Sequence, residues 1–304
     1  MLSQIEAELK EEPLLISKAS RADIEPLPPD TILVGAGDSY CAALCASYLS
    51  SSGCAVLDPY ELIAEPGVAK SKTVVVISVS GRTRANIVAA RAAKGIANEV
   101  IGVTANEEGP LSKEVDQTVR LPYEYRPRVP GMASFVVTLA YVARQLSVEL
   151  GPNPHRTLAV GRRASRQLRF SKAGCTFFLG NRALFAVSMY AAAKLYEFFG
   201  AKSQYQRLEE FSHMELFSLK PRDAVNIYGG FDPSRIGGSL SISLSKSGFQ
   251  SGVVSLRGSD VDVVMGAIFA TQFALLRRIR ELKIERPYIL DAGKKLAVSD
   301  SMIY

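Results

Sequence analysis

The stretch Thr73-Val74-Val75-Val76-Ile77-Ser78, followed at once by Val79-Ser80-Gly81-Arg82-Thr83, constrains the fold more than any other part of the chain. A run of β-branched residues without polar alternation marks a strand buried on both faces, as parallel sheets require. Glycine and hydroxyl residues end the run, and a helix is expected from about 83 to 94. The same unit recurs. Residues 31–36 (TILVGA) form a short apolar run ending in glycine and lead into a helical pattern over 39–52. Residues 99–104 (EVIGVT) make a further strand, and 131–150 a long apolar helix. Strands alternating with helices imply right-handed crossovers and a doubly wound sheet.

The pattern stops and restarts. Residues 151–157 (GPNPHRT) are dense in Gly, Pro and Asn and read as a linker. Beyond them TFFLG at 176–180 echoes TILVG at 31–35, and each run enters a helix, a weak internal repeat that suggests a duplicated domain. In the second copy AVNIYGG at 224–230 takes the place of the 73–81 strand and loop, 251–257 is a later strand and 261–283 a long closing helix. Residues 284–304 carry no strong pattern. With 304 residues the chain has room for two ordinary domains. The expectation is an α/β protein of two tandem doubly wound domains with parallel sheets flanked by helices, 1–150 and 158–304, the second including a C-terminal tail.

Composition narrows the partners. Hydrophobic residues make up 47% and charged residues 22%, a globular balance. No apolar run reaches membrane-spanning length, and the acidic, amphipathic start MLSQIEAELKEEP is unlike a secretory signal. Cys41, Cys45, Cys54 and Cys175 lack paired metal spacing, and Cys41 and Cys45, one helical turn apart, read as buried thiols. A cytoplasmic protein without metal or cofactor is expected. The net charge of +6 raises the question of nucleic acid. The basic residues are scattered, however, Trp is absent, and Arg162-Arg163-Ala164-Ser165-Arg166 reads as a solvated helix face. A moderately basic surface suits an anionic small molecule instead. The expected partner is a small anionic substrate, with neither nucleic acid nor membrane.

The loop 78–83 carries the first chemistry. In a doubly wound sheet the carboxyl edge is where ligands bind, and a helix amino end offers unpaired N–H groups and partial positive charge. Gly81 permits close approach of the backbone, while Ser78, Ser80 and Thr83 add hydroxyl donors without charge. Together they make a phosphate cradle; the alternative is a serine-rich loop with Thr83 as an N-cap. Ser39, in Gly35-Ala36-Gly37-Asp38-Ser39, stands at a second strand-to-helix junction able to converge on the same ligand, or else Ser39 or Asp38 caps its own helix.

A second constellation lies in 183–199 (ALFAVSMYAAAKLYEFF), where Lys194 and Glu197 interrupt an apolar helix on one face. On pattern alone an exposed ion pair on the helix's wet stripe is favoured over a buried, compensated pair. His213, in LEEFSHMELF, is one of two histidines and by itself reads as structural, its ring capping a helix end. His155 in the linker is given no role.

VGAGDSYCAAL followed by VVVISVSGRT is similar to the sugar isomerase (SIS) family, and most similar to the isomerase half of its glucosamine-6-phosphate synthase branch, which has two SIS domains. The resemblance implies that Ser78, Ser80 and Thr83, with Gly81, hold a sugar phosphate, that Ser39 assists, and that Gly131-Met132-Ala133-Ser134 matches the family's Gly-Val-Ala-Ser segment near the sugar. Asp38 stands where the family has Thr, and Arg82 where it has Glu or Gln; Arg82 either adds a contact to phosphate or faces solvent. AAAKLYE and EEFSH match the branch's Ala-Leu-Lys-Leu-Lys-Glu and Gly-Glu-x-Lys-His-Gly without a gap. By that match Glu197 is the carboxylate shuttling a proton between the first two sugar carbons, and His213 opens the ring from the neighbouring subunit of a homodimer. Glu210 falls on the acidic residue of the second motif, while Ser212 and Met214 depart from it. Lys294, in ERPYILDAGKKLAVSDS, is the candidate for the branch's Schiff-base lysine. The residue types agree: a carboxylate partly desolvated by Leu195, Phe198 and Phe199 has its pKa raised toward working pH, and histidine titrates near neutrality. The branch's glutaminase nucleophile is an N-terminal cysteine, and no cysteine precedes Cys41, so glutamine hydrolysis is not expected. The expectation is an amino-sugar phosphate isomerase acting as a glucosamine-6-phosphate deaminase. A glutaminase-free synthase or phosphosugar isomerase is the alternative, and a non-catalytic sugar-phosphate sensor is the alternative of another class. Glu197 and His213 favour an enzyme, since a sensor needs the phosphate loop alone.

Overall fold

The computed structural model describes residues 2–50, 53–125, 130–231 and 235–304. In chain order these form α1 (Leu2–Arg21), β1 (Ile32–Gly35), α2 (Asp38–Leu49), β2 (Ala55–Leu57), α3 (Pro59–Ala64), β3 (Thr73–Ile77), α4 (Arg84–Ala93), β4 (Glu99–Thr104), β5 (Gln117–Arg120), α5 (Ala133–Gln145) and α6 (Pro154–Ala164). There follow β6 (Thr176–Leu179), α7 (Ala183–Phe199), β7 (Ser203–Gln206), α8 (Leu208–His213), β8 (Ala224–Tyr228), α9 (Ile236–Lys246), β9 (Gln250–Val254), α10 (Asp260–Glu281), α11 (Tyr288–Asp291) and α12 (Lys294–Ile303). Among the described residues no helix is long and apolar enough to cross a membrane.

Two compact bodies divide the chain. The first domain comprises Leu14–Leu150 with Ala292–Tyr304, and the second Met1–Pro13 with Gly151–Asp291. Each domain thus holds one end of the chain that lies beyond the other's stretch of sequence. In the second domain Gln272 of α10 donates to Glu12 at 2.9 Å and Arg280 pairs with Glu6. In the first, α12 packs against α4.

The first domain's sheet is wholly parallel, ordered β2-β1-β3-β4-β5. The middle strands are buried on both faces, as their β-branched runs require: Val34, Val74 and Val76 pack with Ala89, Ala90 and Leu111. The second sheet, also parallel, is ordered β7-β6-β8-β9. Its first four positions repeat the first domain's: β6 stands where β1 stands, β7 where β2, β8 where β3 and β9 where β4, so the echo of TILVG in TFFLG is structural. Phe177, Leu179, Val225 and Ile227 form that sheet's core face against Phe211 and Leu244.

The repeat reaches the backbone. The residue before α2, Gly37, has φ 56° and ψ −128°, and the residue before α7, Arg182, has φ 52° and ψ −130°. Gly35 and Gly180 are equivalent too. A Cβ on Gly35 would stand 2.9 Å from the Ser39 carbonyl carbon, and one on Gly180 would stand 2.5 Å from the Leu184 carbonyl oxygen. In both copies the helix closes onto the strand end only because no side chain intervenes.

Several elements depart from expectation. The linker ends early, because Asn153 accepts from the Arg156 N–H at 2.9 Å and Pro154 opens α6. Residues 284–304 are not featureless but contain α11 and α12. The strands β2, β5 and β7 lie at sheet edges and carry little apolar pattern; only β5's Val119 and β2's Val56 and Leu57 hint at them.

Candidate functional site

In the first sheet β1 and β3 are neighbours, with β2 beyond one and β4 beyond the other, so the winding reverses between them. The loops leaving β1 and β3 therefore lie side by side at the carboxyl edge, where doubly wound sheets bind ligands. Those loops are 36–39 and 78–83. Asp38 and Ser39 are the first helical residues of α2, and the cap position belongs to Gly37. The alternative in which Ser39 or Asp38 caps its own helix is therefore not met, and Ser39 is buried at the helix's amino end.

The 78–83 loop is held from beneath. The Ser78 N–H donates to the Val103 carbonyl at 2.9 Å, extending the β3–β4 ladder by one bond. The Gly81 N–H then donates to the Ser78 carbonyl at 3.0 Å, closing a tight turn with Gly81 at φ +63°. A Cβ on Gly81 would stand 3.1 Å from Thr104 Oγ1 and 3.2 Å from the Asn106 carbonyl, so both conformation and space ask for glycine here. Asn106 Nδ2 donates to the Ser80 carbonyl at 3.0 Å, and the Arg82 N–H to Ser80 Oγ at 3.2 Å. Ser78 Oγ donates to Thr83 Oγ1 at 3.3 Å. Thr83 occupies the N-cap of α4 but its hydroxyl makes no capping bond, so the simple-cap alternative fails. Asn86, buried in the first turn of α4, donates to the Ile77 carbonyl at 2.9 Å and leaves Oδ1 without a partner.

Ser78 and Ser80 are buried, Thr83 is half-buried and Arg82 is exposed. Hydroxyls, a left-handed glycine and a helix start without a side-chain cap meet here, an arrangement of uncharged donors with the chemistry to accept a tetrahedral anion. Ser134 is buried at the start of α5, its carbonyl accepting from Thr138 at 2.7 Å. Lys294 is the exposed first residue of α12.

The second domain holds the other pair. Lys194 Nζ donates to Glu197 Oε2 at 2.7 Å, and the two side chains are 1% and 24% exposed. This corrects the pattern-based preference for a solvated pair: α7 is buried on nearly every face, and the ammonium is enclosed. It lies 5.2 Å from the centre of the Tyr190 ring. Gln272 donates to the Tyr190 hydroxyl at 3.3 Å and to Glu12 at 2.9 Å, continuing a buried polar chain into α1. Burial pushes the Glu12 carboxyl well above the usual carboxylate range; the Gln272 bond opposes this and Glu8 reinforces it. His213 is the last residue of α8, 69% exposed, and pairs with Glu209 at 3.1 Å. Glu197 and His213 are thus anchored on different helices, each by a partner on its own helix. Glu210 is exposed.

The sequence did not single out Asn86, Thr104 or Asn106, which shape the cradle. Asn106 follows the EVIGVT strand by two residues, and that position at a carboxyl edge was the signal available.

The described fold is that of doubly wound α/β proteins with parallel sheets, here with a group of hydroxyls at the switch point of the first sheet. Residues 30–146 match the model of the SIS domain. No curated protein matches the sequence. Among solved structures the chain is similar to glucosamine-6-phosphate deaminase of Thermotoga maritima, at 18% identity and TM-score 0.67 over 90% of this chain and 94% of that one. It is similar to the C-terminal domain of glucosamine-fructose-6-phosphate aminotransferase of Francisella tularensis, at 16% and 0.67, over 90% and 96%. Tagatose-6-phosphate ketose/aldose isomerase of Escherichia coli aligns at 16% and 0.68, over 91% and 92%. The two-sheet α/β fold is that of these sugar-phosphate proteins.

Proposed function

We propose that the protein is an isomerising amino-sugar phosphate enzyme, with glucosamine-6-phosphate as substrate and deamination as the net direction. The observation that carries the reading is the neutral cradle of Ser39, Ser78, Ser80, Gly81 and Thr83 at the switch point, suited to a sugar phosphate. The enclosed Lys194–Glu197 pair supports catalysis over sensing, because a carboxylate fixed by a buried ammonium is an expensive arrangement that phosphate binding does not need.

In the proposed chemistry His213 assists ring opening, exposing the C1 aldehyde. Glu197 removes the proton from C2 and returns it to C1, which moves the double bond and leaves an imine at C2. Water then hydrolyses the imine, releasing ammonia and fructose-6-phosphate. Ser134 is assigned a contact to the sugar, and Lys294 the role of an amine able to engage the open-chain ketose. A homodimer in which His213 serves the neighbouring subunit, in the cytoplasm, belongs to the same reading. The relatives' activities and the match of AAAKLYE and EEFSH to the synthase branch support it.

The test is purified protein with glucosamine-6-phosphate, following ammonia and fructose-6-phosphate together. Equimolar appearance of both is expected. Interconversion of fructose-6-phosphate and glucose-6-phosphate without ammonia would replace deamination by simple isomerisation. Tight binding with no turnover would make the protein a sensor.

A further inference from the structure

The carboxyl ends of β3, β4 and β5 border a cavity of about 750 Å³ in the first domain, lined in part by Arg82, Asn106, Arg120, Tyr123, Glu124 and Tyr125. None of the cradle hydroxyls lines it. Its volume lies toward the upper end of the range for whole ligand sites, roughly 300–1,000 Å³, and exceeds what a single phosphate fills. Two arginines line it, Arg82 from the loop after β3 and Arg120 from the end of β5. A guanidinium matches phosphoryl oxygens in a bidentate fork, and two of them suit two linked phosphoryl groups better than one. One carboxylate, Glu107, sits 3.4 Å from the Arg120 guanidinium, both exposed, an attachment weak enough for a phosphate to displace. Glu124 also lines the space, so the occupant's anionic part belongs at the arginine side. The rings of Tyr123 and Tyr125 add apolar faces with hydroxyl donors.

The cavity is tied to the cradle through one residue. Arg82 donates its N–H to Ser80 Oγ, and Asn106 donates Nδ2 to the Ser80 carbonyl, at 3.2 and 3.0 Å. Two residues that line the cavity therefore hold Ser80, a serine of the proposed cradle.

We propose that this cavity is a second ligand site, distinct from the sugar-phosphate cradle, that takes a diphosphate group through Arg82 and Arg120. The cradle's role rests on the reading of the previous subsection, whereas the diphosphate site stands on its own residues. An inorganic diphosphate and a nucleoside diphosphate share the required chemistry, and the two tyrosines would engage the ring of the second.

Calorimetric titration with inorganic pyrophosphate, with ADP and with glucosamine-6-phosphate tests it on three proteins: wild type, Arg120→Ala and Thr83→Ala. Arg120 is exposed, so its replacement leaves the fold intact. The expected result is binding of pyrophosphate or ADP to the wild type, weakened at least tenfold in Arg120→Ala and unchanged in Thr83→Ala, with the reverse pattern for glucosamine-6-phosphate. Tighter binding of ADP than of pyrophosphate assigns a role to the tyrosines; equal binding assigns the site to the phosphates alone. The proposal is overturned if neither diphosphate binds, if Arg120→Ala binds as well as wild type, or if Thr83→Ala loses diphosphate binding, which would put the diphosphate in the cradle. Failure of glucosamine-6-phosphate to bind any of the three would count against the proposed function and leave the diphosphate result standing.

Discussion

At the scale of single residues, the cradle and the carboxylate answer to different substitutions. Ser80→Ala with Thr83→Ala removes two hydroxyls while leaving the Gly81 turn and the amino end of α4 in place. Sugar-phosphate affinity should fall at least tenfold, on the order of 1.4 kcal/mol, and calorimetry on the folded variant checks it. Unchanged affinity would mean that backbone N–H groups alone hold the anion. Glu197→Gln keeps an oxygen able to accept from Lys194, so the enclosed ammonium retains a partner, but an amide cannot carry a proton between carbons. Turnover should drop roughly a hundred- to ten-thousand-fold, with substrate binding retained and solvent deuterium no longer entering the sugar carbon beside the carbonyl. Wild-type exchange in that variant would reduce Glu197 to a structural counterion of Lys194. The loop's hydroxyls could be read from the sequence because a strand, a glycine and a helix start bracket them. The enclosure of Lys194 could not, since a charged pair three residues apart has the same spacing on a wet face as on a dry one, and only packing by neighbouring elements such as α10 decides between them.

At the scale of elements, the equivalence of Gly35 and Gly180 makes a paired prediction. Each lets a helix backbone close on a strand end, and a methyl group at either would collide with backbone rather than with a flexible side chain. Gly35→Ala and Gly180→Ala should each destabilise by about 1–3 kcal/mol, whereas Gly238→Ala, where a Cβ meets nothing within 4 Å, should change stability little. Chemical denaturation of the three variants distinguishes them, and equal effects at all three would remove the packing argument. The long strands and helices were legible because their apolar period is unambiguous: β3, β4 and α7 fall within a residue of the expected positions. Edge strands were not. Ala55–Leu57 and Ser203–Gln206 border only one neighbour and are half-exposed, so hydrophobic patterning had too few residues to act on. The α12 helix is not marked in the sequence, because Val298, Met302 and Ile303 are exposed and no continuous apolar stripe runs along it.

At the scale of the whole molecule, stability should carry the imprint of Glu12. Its carboxyl is fully buried, with one oxygen lacking a partner. The group's folded value is raised above its unfolded value of about 4.3, so its contribution is complete below that unfolded value and is lost as pH rises through the folded one. Glu12→Gln has nearly the same shape and no charge to bury. Its melting temperature should match wild type near pH 4 and exceed it increasingly toward pH 9; a constant difference across that range would show that Glu12 does not titrate with folding.

The exchange of segments between the domains bears on how the molecule is made. The α10 residue that bonds Glu12 is encoded more than two hundred residues after it. In the first domain α12, which packs on α4, is encoded only beyond the second domain's residues. Each body therefore needs a segment encoded far from the rest of it, so the two should fold interdependently. A cut at residue 150 would yield two fragments, each lacking a segment that only the other half of the chain encodes.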